Sequence, residues 1–437
     1  MALFDSADFW QCWIRLSNSK VGPHGESLAV LKNTAGGFQL LWQAQCVFIP
    51  WDFELAYGDA TTLVPAYERS RQFADCCINW FDPLDEVVGR GDKREMTIVS
   101  HVDHHDFLIE AEKPWKDEAG KKIGNLLWYW GDWCFPRSKT ASNISKHNSA
   151  ITSMYYFRCL DLVAKEAAML GRADDAAKYA AVADKLKMAV NARYLAPNGN
   201  RCYTDNAQTL NALALAIGIV PDEYRAAVAQ SLADDVRQRG NHLDTGVIGT
   251  RHLLRVLTDT GHDDTALALA QQTSYPSWGF MLKAPQAPGT FWECWENADN
   301  SKNHPFLGGA LASWLLNSVA GIRPLTPGYA DIEFKPCLAA VHNLTSASAS
   351  IPTVRGEAAV KWNRTGSALT LDVTVPANSR AQIFIPADST ATLREGEAVC
   401  WQKQTFQPGV AGIASATATN GYVIVKTGSG RYHFRTE

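Results

Sequence analysis

Residues Leu162 to Leu195 decide the fold, and they read LVAKEAAMLGRADDAAKYAAVADKLKMAVNARYL. On both sides of the segment GRAD, apolar residues recur three and four positions apart, as along one face of a helix. A short turn of this kind joins two antiparallel helices, so the stretch predicts a helical hairpin. The same period predicts helices over Ala150 to Leu170, Ala176 to Tyr194, Gln208 to Ile219, Tyr224 to Arg239, Gly246 to Thr260 and Ala266 to Thr273.

Two architectures are built from such hairpins. A tetratricopeptide array repeats every ~34 residues, and residues 162–195 locally resemble its hairpin. No self-similarity at that period occurs before or after this stretch. A toroid of paired helices produces the same local signal with irregular spacing. We therefore expect a toroid rather than a repeat array.

The pattern changes near Arg323, after which apolar and polar residues alternate with the two-residue period of strands. The clearest runs are ADIEFKP, EAAVKWNR, LTLDVTV, RAQIFIP, GYVIVKTG and RYHFRT. Short turns such as PANS and TGSG separate them, which is typical of a β-sandwich. The prediction is a helical domain over residues 1–323 followed by a small antiparallel β-sandwich over residues 324–437.

Composition restricts the classes of function. The chain has 437 residues, of which 46% are hydrophobic and 20% charged, as in an ordinary globular protein. A net charge of -4 argues against a nucleic-acid partner. No apolar run reaches the roughly 18 residues of a membrane span, and the N-terminus lacks the pattern of a signal peptide. We expect a cytoplasmic protein without membrane partners, and the sequence does not indicate an oligomeric state.

Metal and cofactor motifs are weak. The ten cysteines include one adjacent pair, Cys76-Cys77, but no Cys-x-x-Cys spacing, so we expect reduced thiols and no zinc site. In HVDHHD (His101 to Asp106) two histidines are four residues apart, but the glutamate of a zinc protease is missing. DPLDE (Asp82 to Glu86) lacks the glycine and terminal glutamate of a calcium loop. No phosphate-binding or dinucleotide fingerprint is present, so we expect no cofactor.

One segment concentrates the residues of a carbohydrate site. Residues Tyr275 to His304 read YPSWGFMLKAPQAPGTFWECWENADNSKNH, with six aromatic rings around Glu293 and Glu296. The flat apolar face of an indole suits the C–H face of a sugar ring. A carboxylate among such rings is partly desolvated and becomes a better proton acceptor. The other interpretation is that Trp292 and Trp295 are core residues and the glutamates are solvated.

The succession of motifs resembles the catalytic domain and following β-domain of bacterial α-L-rhamnosidases of glycoside hydrolase family 78. In chain order the motifs are PWDFELAYGD (50–59), WGDW (130–133), AQTLNALALAIGI (207–219), DTGVIGTRHLL (244–254), YPSWGFML (275–282), TFWECW (290–295) and NSKNH (300–304). The resemblance implies an (α/α)6 barrel that hydrolyses terminal α-L-rhamnosides with inversion. The implied partner is a small-molecule or oligosaccharide rhamnoside.

The resemblance also assigns roles at the centre of the site. Inversion requires one carboxylic acid and one opposing carboxylate that activates water. By motif position, Glu293 corresponds to the general base of the family. In the alternative, Glu296 is the functional residue and Glu293 is structural. His304 corresponds to a histidine that contacts the sugar.

Further candidates line the expected pocket. Trp133 and Trp278 resemble pocket walls, with a core role as the alternative for Trp278. Trp42 and Trp292 are additional substrate-binding candidates. Asp132 is a candidate acid or a hydrogen-bond partner of a sugar hydroxyl, and the alternative is that it caps a helix at the Gly131 turn.

The chain departs from the family at the general acid. Family members carry a D-E-R-x-G-W-x-G-D-like helix before one that resembles DFWQCWIRL (Asp8 to Leu16), and no such segment is present here. The family's W-G-D-A segment stands here as WQAQ at 42–45, without the acid. We expect an N-terminally incomplete chain, or an acid role for Asp132, Asp52 or Glu54, and weak or absent rhamnosidase activity. Two alternatives are carbohydrate binding without turnover and a six-hairpin glycosidase or lyase that acts on a uronide.

Overall fold

The structure is a computed structural model that describes residues 6–19, 40–81, 114–116, 122–125, 131–136, 147–196, 201–284, 289–296, 301–337, 344–366, 368–386, 391–419 and 421–437. Two compact units form the chain. The helical unit comprises Gln11–Trp51 and Thr61–Ala310, and the β-rich unit comprises Met1–Trp10, Asp52–Ala60 and Leu311–Glu437. The single boundary between residues 323 and 324 stays a prediction.

The described residues form a series of α-helices. Their bounds are α1 (Ala7–Asn18), α2 (Leu40–Gln43), α3 (Gln45–Tyr57), α4 (Ala60–Phe81), α5 (Asn148–Met169), α6 (Ala173–Tyr194), α7 (Gln208–Ile217), α8 (Asp222–Gln238), α9 (Val247–Asp259), α10 (Asp263–Ala270), α11 (Trp278–Lys283) and α12 (Pro305–Trp314). A π-helix (Leu315–Ala320) and a 3-10 helix (Pro327–Tyr329) follow α12. The six helices predicted from periodicity are α5 to α10, and each begins and ends within three residues of its predicted bounds.

The hairpin predicted over residues 162–195 is confirmed as the pair α5 and α6, which pack against each other. Gly171 in the connecting turn has φ 73°, a left-handed conformation that glycine adopts without strain. Asp174 and Asp175 lie in the first turn of α6 and Arg193 in its last, where each complements the helix dipole. The buried face of α6 includes Tyr179, which is fully enclosed. The pairs α7–α8 and α9–α10 also pack as neighbours in sequence.

The strands lie mostly in the β-rich unit. Their bounds are β1 (Pro114–Lys116), β2 (Lys122–Asn125), β3 (Ile322–Pro324), β4 (Asp331–Phe334), β5 (Ser346–Thr353), β6 (Gly356–Thr365), β7 (Ala368–Val375), β8 (Arg380–Pro386), β9 (Leu393–Glu395), β10 (Ala398–Gln402), β11 (Thr405–Phe406), β12 (Ile413–Thr419), β13 (Tyr422–Thr427) and β14 (Gly430–Thr436). All six predicted runs correspond to strands. The short pair β1 and β2 is antiparallel.

The β-rich unit holds two sheets, with strand orders β11-β10-β9-β14-β7-β6-β5 and β12-β13-β8-β4-β3. Alternate residues are buried, as along β7 and β8, which is the pattern of a two-layer sandwich. Trp362 is fully enclosed, and its indole N–H donates to the carbonyl of Val319 at 3.0 Å. One pair departs from the antiparallel expectation: β4 and β8 are parallel, with Ile332 opposite Ala381. The chain passes through β5, β6 and β7 of the other sheet between them, which allows it to return in the same direction.

Some sequence predictions fall outside the described residues. HVDHHD (101–106), DPLDE (82–86) and Trp130 of the WGDW motif lie there. Within the described part, no helix is long and apolar enough to cross a membrane. No cluster of three or more His, Cys, Asp or Glu that could hold a metal occurs among those same residues.

Candidate active site

Asp132 fixes the loop of residues 131–136 to the start of α9. Its side chain is 0% exposed. Its Oδ2 accepts hydrogen bonds from the hydroxyl of Thr209 and from the backbone N–H of Gly246 at 2.7 Å. Its Oδ1 accepts from the backbone N–H groups of Ile248 at 2.7 Å and Gly249 at 3.2 Å. Both oxygens are therefore occupied by the N-terminus of a helix, where a carboxylate is favoured.

This geometry gives Asp132 a capping role, but at the start of α9 and not at the Gly131 turn where the sequence suggested a cap. A side chain enclosed by four donors offers no oxygen to a sugar hydroxyl or to a leaving group. Burial raises the pKa of Asp132 above its ordinary value, while the hydrogen bonds from Thr209, Gly246, Ile248 and Gly249 act in the opposite direction. A role for Asp132 as general acid or sugar contact stays a prediction, which these four hydrogen bonds disfavour.

Gly246 allows the same loop to approach α9 closely. A Cβ at this position would overlap the backbone carbonyls of Asp132 and Trp133, so only glycine fits. The N–H of Val247 donates to the carbonyl of Trp133 at 2.8 Å. The backbone of Trp133 is thus held by the helix, and its half-buried indole extends from a fixed position.

Glu293 lies opposite that indole. The Nε1–H of Trp133 donates to Oε1 of Glu293 at 3.2 Å. Backbone bonds hold the loop of residues 289–296: the N–H of Glu293 donates to the carbonyl of Ser301 at 2.8 Å, and that of His304 donates to the carbonyl of Phe291 at 2.9 Å. The Oε2 of Glu293 has a longer contact of 3.4 Å with the N–H of Ser301. Both oxygens therefore accept a hydrogen bond, the shorter one at Oε1, and the half-buried side chain keeps contact with solvent.

A disulfide connects the two loops beside this contact. Cys134 and Cys294 are bonded, with their Cα atoms 4.6 Å apart, a usual separation for a disulfide. The other eight cysteines of the chain are thiols. The expectation that all ten would be reduced is therefore wrong for this pair. Their 160-residue separation gives no spacing signal in the sequence.

The indoles of Trp278, Trp292 and Trp295 lie in the core, each with 1% of its surface exposed. Trp278 donates its Nε1–H to the carbonyl of Leu307 and Trp295 to that of Thr245, both at 2.8 Å. The rings of Trp278 and Trp295 meet edge to face, with centroids 5.5 Å apart. Burial of this degree favours the core alternative for Trp278 and Trp292, because neither ring face is open to a sugar.

Glu296, the alternative functional glutamate, has a different environment. The hydroxyl of Tyr275 donates to its Oε1 at 2.6 Å. Tyr275 also contacts Phe280 edge to face at 5.5 Å, and Phe280 contacts Trp292 at 6.2 Å. Glu296 therefore ends a chain of aromatic packing contacts, which suits a structural role.

His304, Phe306 and Trp42 form a third group in the helical unit. The Nδ1 of His304 accepts from the backbone N–H of Phe306 at 3.3 Å, so the neutral imidazole carries its proton on Nε2 and can donate it. The two rings meet edge to face with centroids 3.9 Å apart. Trp42 lies 6.1 Å from Phe306, whose side chain is 38% exposed. This group offers one N–H donor beside open aromatic surface, as a sugar site requires.

The remaining acid candidates, Asp52 and Glu54, lie on α3 in the β-rich unit. Glu54 is 4% exposed. Burial raises the pKa of its carboxyl, and the charge of Asp59 adds to that effect.

Two family models match the chain. Residues 103–319 match the bacterial α-L-rhamnosidase six-hairpin glycosidase domain, and residues 321–400 match the bacterial α-L-rhamnosidase C-terminal domain. The chain belongs to the bacterial α-L-rhamnosidase family. The predicted family, the six-hairpin helical fold and the β-domain that follows it are thereby confirmed.

Curated relatives agree with this assignment. An α-L-rhamnosidase of Streptomyces avermitilis is 30% identical over 357 residues, which is 79% of this chain and 29% of that protein. An α-L-rhamnosidase of Formosa agariphila is 27% identical over 403 residues, 89% of this chain and 39% of that protein. The chain thus spans less than half the length of these relatives.

Solved structures share the fold. An α-L-rhamnosidase from Dictyoglumus thermophilum superposes with a TM-score of 0.79 at 24% identity, over 99% of this chain and 44% of that one. The Streptomyces avermitilis α-L-rhamnosidase complexed with L-rhamnose superposes with a TM-score of 0.75 at 25% identity, over 99% of this chain and 36% of that one.

Sequence reasoning missed three features of this family site. The first is the disulfide between Cys134 and Cys294. Each of these cysteines directly follows a predicted site residue, Trp133 or Glu293, and that shared position could have indicated the pairing. Phe306 follows His304 by two residues in HPF and is an exposed ring. Thr209 gave no signal, because its contact with Asp132 depends on the packing of distant segments.

Proposed function

We propose that this chain hydrolyses terminal α-L-rhamnosides with inversion at the anomeric carbon, and that Glu293 is the general base. One observation supports this most strongly. In this chain the glutamate of the WECW motif is oriented by an indole N–H at 3.2 Å, while its second oxygen accepts only a longer bond of 3.4 Å from the N–H of Ser301 and keeps a lone-pair direction for water. A base needs a fixed carboxylate with one free lone-pair direction toward the reacting water.

The chemistry uses the two oxygens of Glu293 differently. Trp133 donates the shorter bond to Oε1, so Oε2, whose bond from the N–H of Ser301 is longer, takes a proton from water through its other lone pair. The water oxygen bonds to the anomeric carbon from one face while the bond to the glycosidic oxygen breaks on the other. The electron pair leaves with that oxygen, which takes a proton from a general acid or departs as the anion when it is a stabilised phenolate.

The sugar is recognised by the third group of the site. The Nε2–H of His304 donates to a ring hydroxyl, and Trp42 and Phe306 contact the C–H surface of the pyranose. The helical unit therefore supplies a base, a hydrogen-bond donor and open aromatic surface. This proposal assigns no residue to the general acid.

An aryl substrate tests the base without an acid. Release of p-nitrophenol from p-nitrophenyl α-L-rhamnoside is compared for the wild type and Glu293→Gln, which should lower kcat by about 10²- to 10⁴-fold. The matched control is Glu296→Gln, whose kcat should change by less than about tenfold, because that carboxylate is held by Tyr275 and does not meet the water. NMR of the first sugar released should show the β anomer. Equal losses in the two variants, or the α anomer as first product, would contradict the proposal.

An alkyl rhamnoside completes the test, because its leaving group needs a proton. Turnover of the aryl substrate alone would indicate a working base without an effective acid. Calorimetric binding of L-rhamnose with no turnover of either substrate would instead favour a binding protein and exclude hydrolysis by this chain.

A further inference from the structure

We propose that the Cys134–Cys294 disulfide is a positioning device that holds the indole of Trp133 against the carboxylate of Glu293. The inference rests on the proposed role of Glu293 as base. It assigns no chemical step to the sulfur atoms, which act only through Trp133 and Glu293.

The geometry of the two loops supports this assignment. Trp133 hydrogen-bonds Glu293 at 3.2 Å, and the next residue of each loop is joined covalently, with Cα atoms 4.6 Å apart. The two connections therefore lie side by side and share the same sequence separation of 160 residues. A disulfide directly after both partners restricts their separation more tightly than a link elsewhere in the loops would.

The two loops are anchored unequally. The loop of residues 131–136 is fixed to α9 through the buried carboxylate of Asp132 and the carbonyl of Trp133. At the Glu293 loop, the backbone bonds run to residues 301–304 of a neighbouring loop. Two side-chain bonds add to these, from Trp295 to the carbonyl of Thr245 and from Tyr275 to Glu296. Within the described residues, the disulfide is the covalent link from the base to the fixed side of the site.

Loss of the link should affect turnover more than binding. The Trp133–Glu293 contact orients the base toward water, whereas the group formed by His304, Phe306 and Trp42 holds the sugar. A displacement near 1 Å of a reacting group lowers rate by as much as about 10²-fold. We expect kcat to fall about 10- to 100-fold without the disulfide, with KM changed by less than about threefold.

The first experiment establishes the bond and breaks it. Thiol titration of the unreduced, denatured wild type should give eight thiols, because two of the ten cysteines are bonded. A titre of ten would overturn the proposal. Dithiothreitol then opens the bond: the S–S bond accepts two electrons and two protons to give two thiols, and the reagent becomes its cyclic disulfide. The Cys134→Ala/Cys294→Ala variant provides the same state without reductant, and Cys12→Ser, at an exposed thiol, is the control whose kcat should not change.

A double-mutant cycle separates positioning from general stability. Opening the disulfide should lower kcat in the wild type but by less than about threefold in Trp133→Phe, where the indole N–H is already absent. An equal loss in both backgrounds, or an unchanged kcat in the wild type, refutes the positioning role. Assays are run well below the melting temperature of each variant.

An NMR signal decides the matter independently of turnover. In ¹⁵N-labelled protein, the indole N–H resonance of Trp133 is identified by its absence in Trp133→Phe. This resonance should shift in Glu293→Gln relative to the wild type. It should also shift in the wild type when the disulfide is opened. If the wild type proves inactive but the resonance still shifts when the disulfide is opened, the positioning holds while the proposed hydrolysis fails. A resonance indifferent to the disulfide would refute the positioning in either case.

Discussion

Replacing Asp132 should destabilise the helical unit rather than remove a catalytic group. The carboxylate accepts from three backbone N–H groups and the Thr209 hydroxyl, and its side chain is 0% exposed. Asp132→Ala leaves all four donors without an acceptor in a region that excludes water.

The magnitude follows from those four bonds. Each buried donor left unsatisfied costs about 1–3 kcal/mol, and loss of an N-cap alone costs about 1 kcal/mol. Partial rehydration and relaxation reduce the sum, so we expect a loss of about 3–5 kcal/mol for Asp132→Ala, at the upper end for single substitutions. For a domain of about 150–250 residues each kcal/mol lowers the melting temperature by about 2–4 °C, which predicts a decrease near 10 °C.

Two further variants grade the effect. Asp132→Asn keeps the shape but places an amide N–H₂ against a backbone N–H, so it should cost about 1–3 kcal/mol. Thr209→Val removes one donor and leaves the other three bonds, so its cost should be about 1–2 kcal/mol. Differential scanning calorimetry should therefore rank the losses as Asp132→Ala, then Asp132→Asn, then Thr209→Val.

The result that would refute this reasoning comes from the same proteins. If Asp132→Asn melted within about 1 °C of the wild type and yet lost about 10³-fold or more in kcat, Asp132 would be a catalytic acid. If Asp132 only caps α9, the folded fraction of Asp132→Asn should keep its activity within about tenfold of the wild type. Displacement of the adjacent Trp133 is the reason for expecting any loss.

Three other predictions follow from individual contacts. Gly308→Ala should lower both the melting temperature and kcat, because a Cβ there would overlap the ring of Phe291, whereas Gly309→Ala, facing open space on the same helix, should stabilise by up to about 1 kcal/mol. Burial raises the pKa of Glu166 to about 8, so the folded protein keeps a proton that the unfolded chain releases near 4.5. The free energy of unfolding should therefore fall as pH rises between these values, by up to about 1.4 kcal/mol per pH unit. Melting temperatures measured across this range should fall less steeply for Glu166→Gln than for the wild type. Equal slopes for the two proteins would count against this. In the proposed site the exposed ring of Phe306 contacts the sugar in both ground and transition states, so Phe306→Ala should raise KM for rhamnosides about three- to tenfold with a smaller change in kcat. An unchanged KM would exclude that contact.

Much of the fold could be predicted because its signals are local. The helices α5 to α10 and the six strand runs follow from hydrophobic period and from turn residues such as Gly171. The parallel pairing of β4 with β8 could not, because it depends on strands between them entering another sheet. A pattern along the chain identifies elements more reliably than their partners in space.

The candidate site shows the same division. Glu293, Trp133 and His304 could be selected from motif positions, since each motif is contiguous. Their mutual contacts could not, because Trp133 and Glu293 are 160 residues apart. The capping of α9 by Asp132 could not be predicted either, because its donors lie more than 70 residues along the chain, and the sequence suggested a cap only at the Gly131 turn.

The tryptophans show why composition alone assigns such a site imperfectly. An abundance of indoles suggests stacking surfaces, yet Trp278, Trp292 and Trp295 are enclosed and two of them bond backbone carbonyls. Those two bonds fix the segments on either side of Glu293. The less conspicuous Trp133 directs its N–H to the carboxylate, and the exposed ring is a phenylalanine, Phe306. An indole N–H with a fixed acceptor is as useful for orienting a base as an indole face is for binding a sugar, and the two uses can be distinguished only when the acceptor is known.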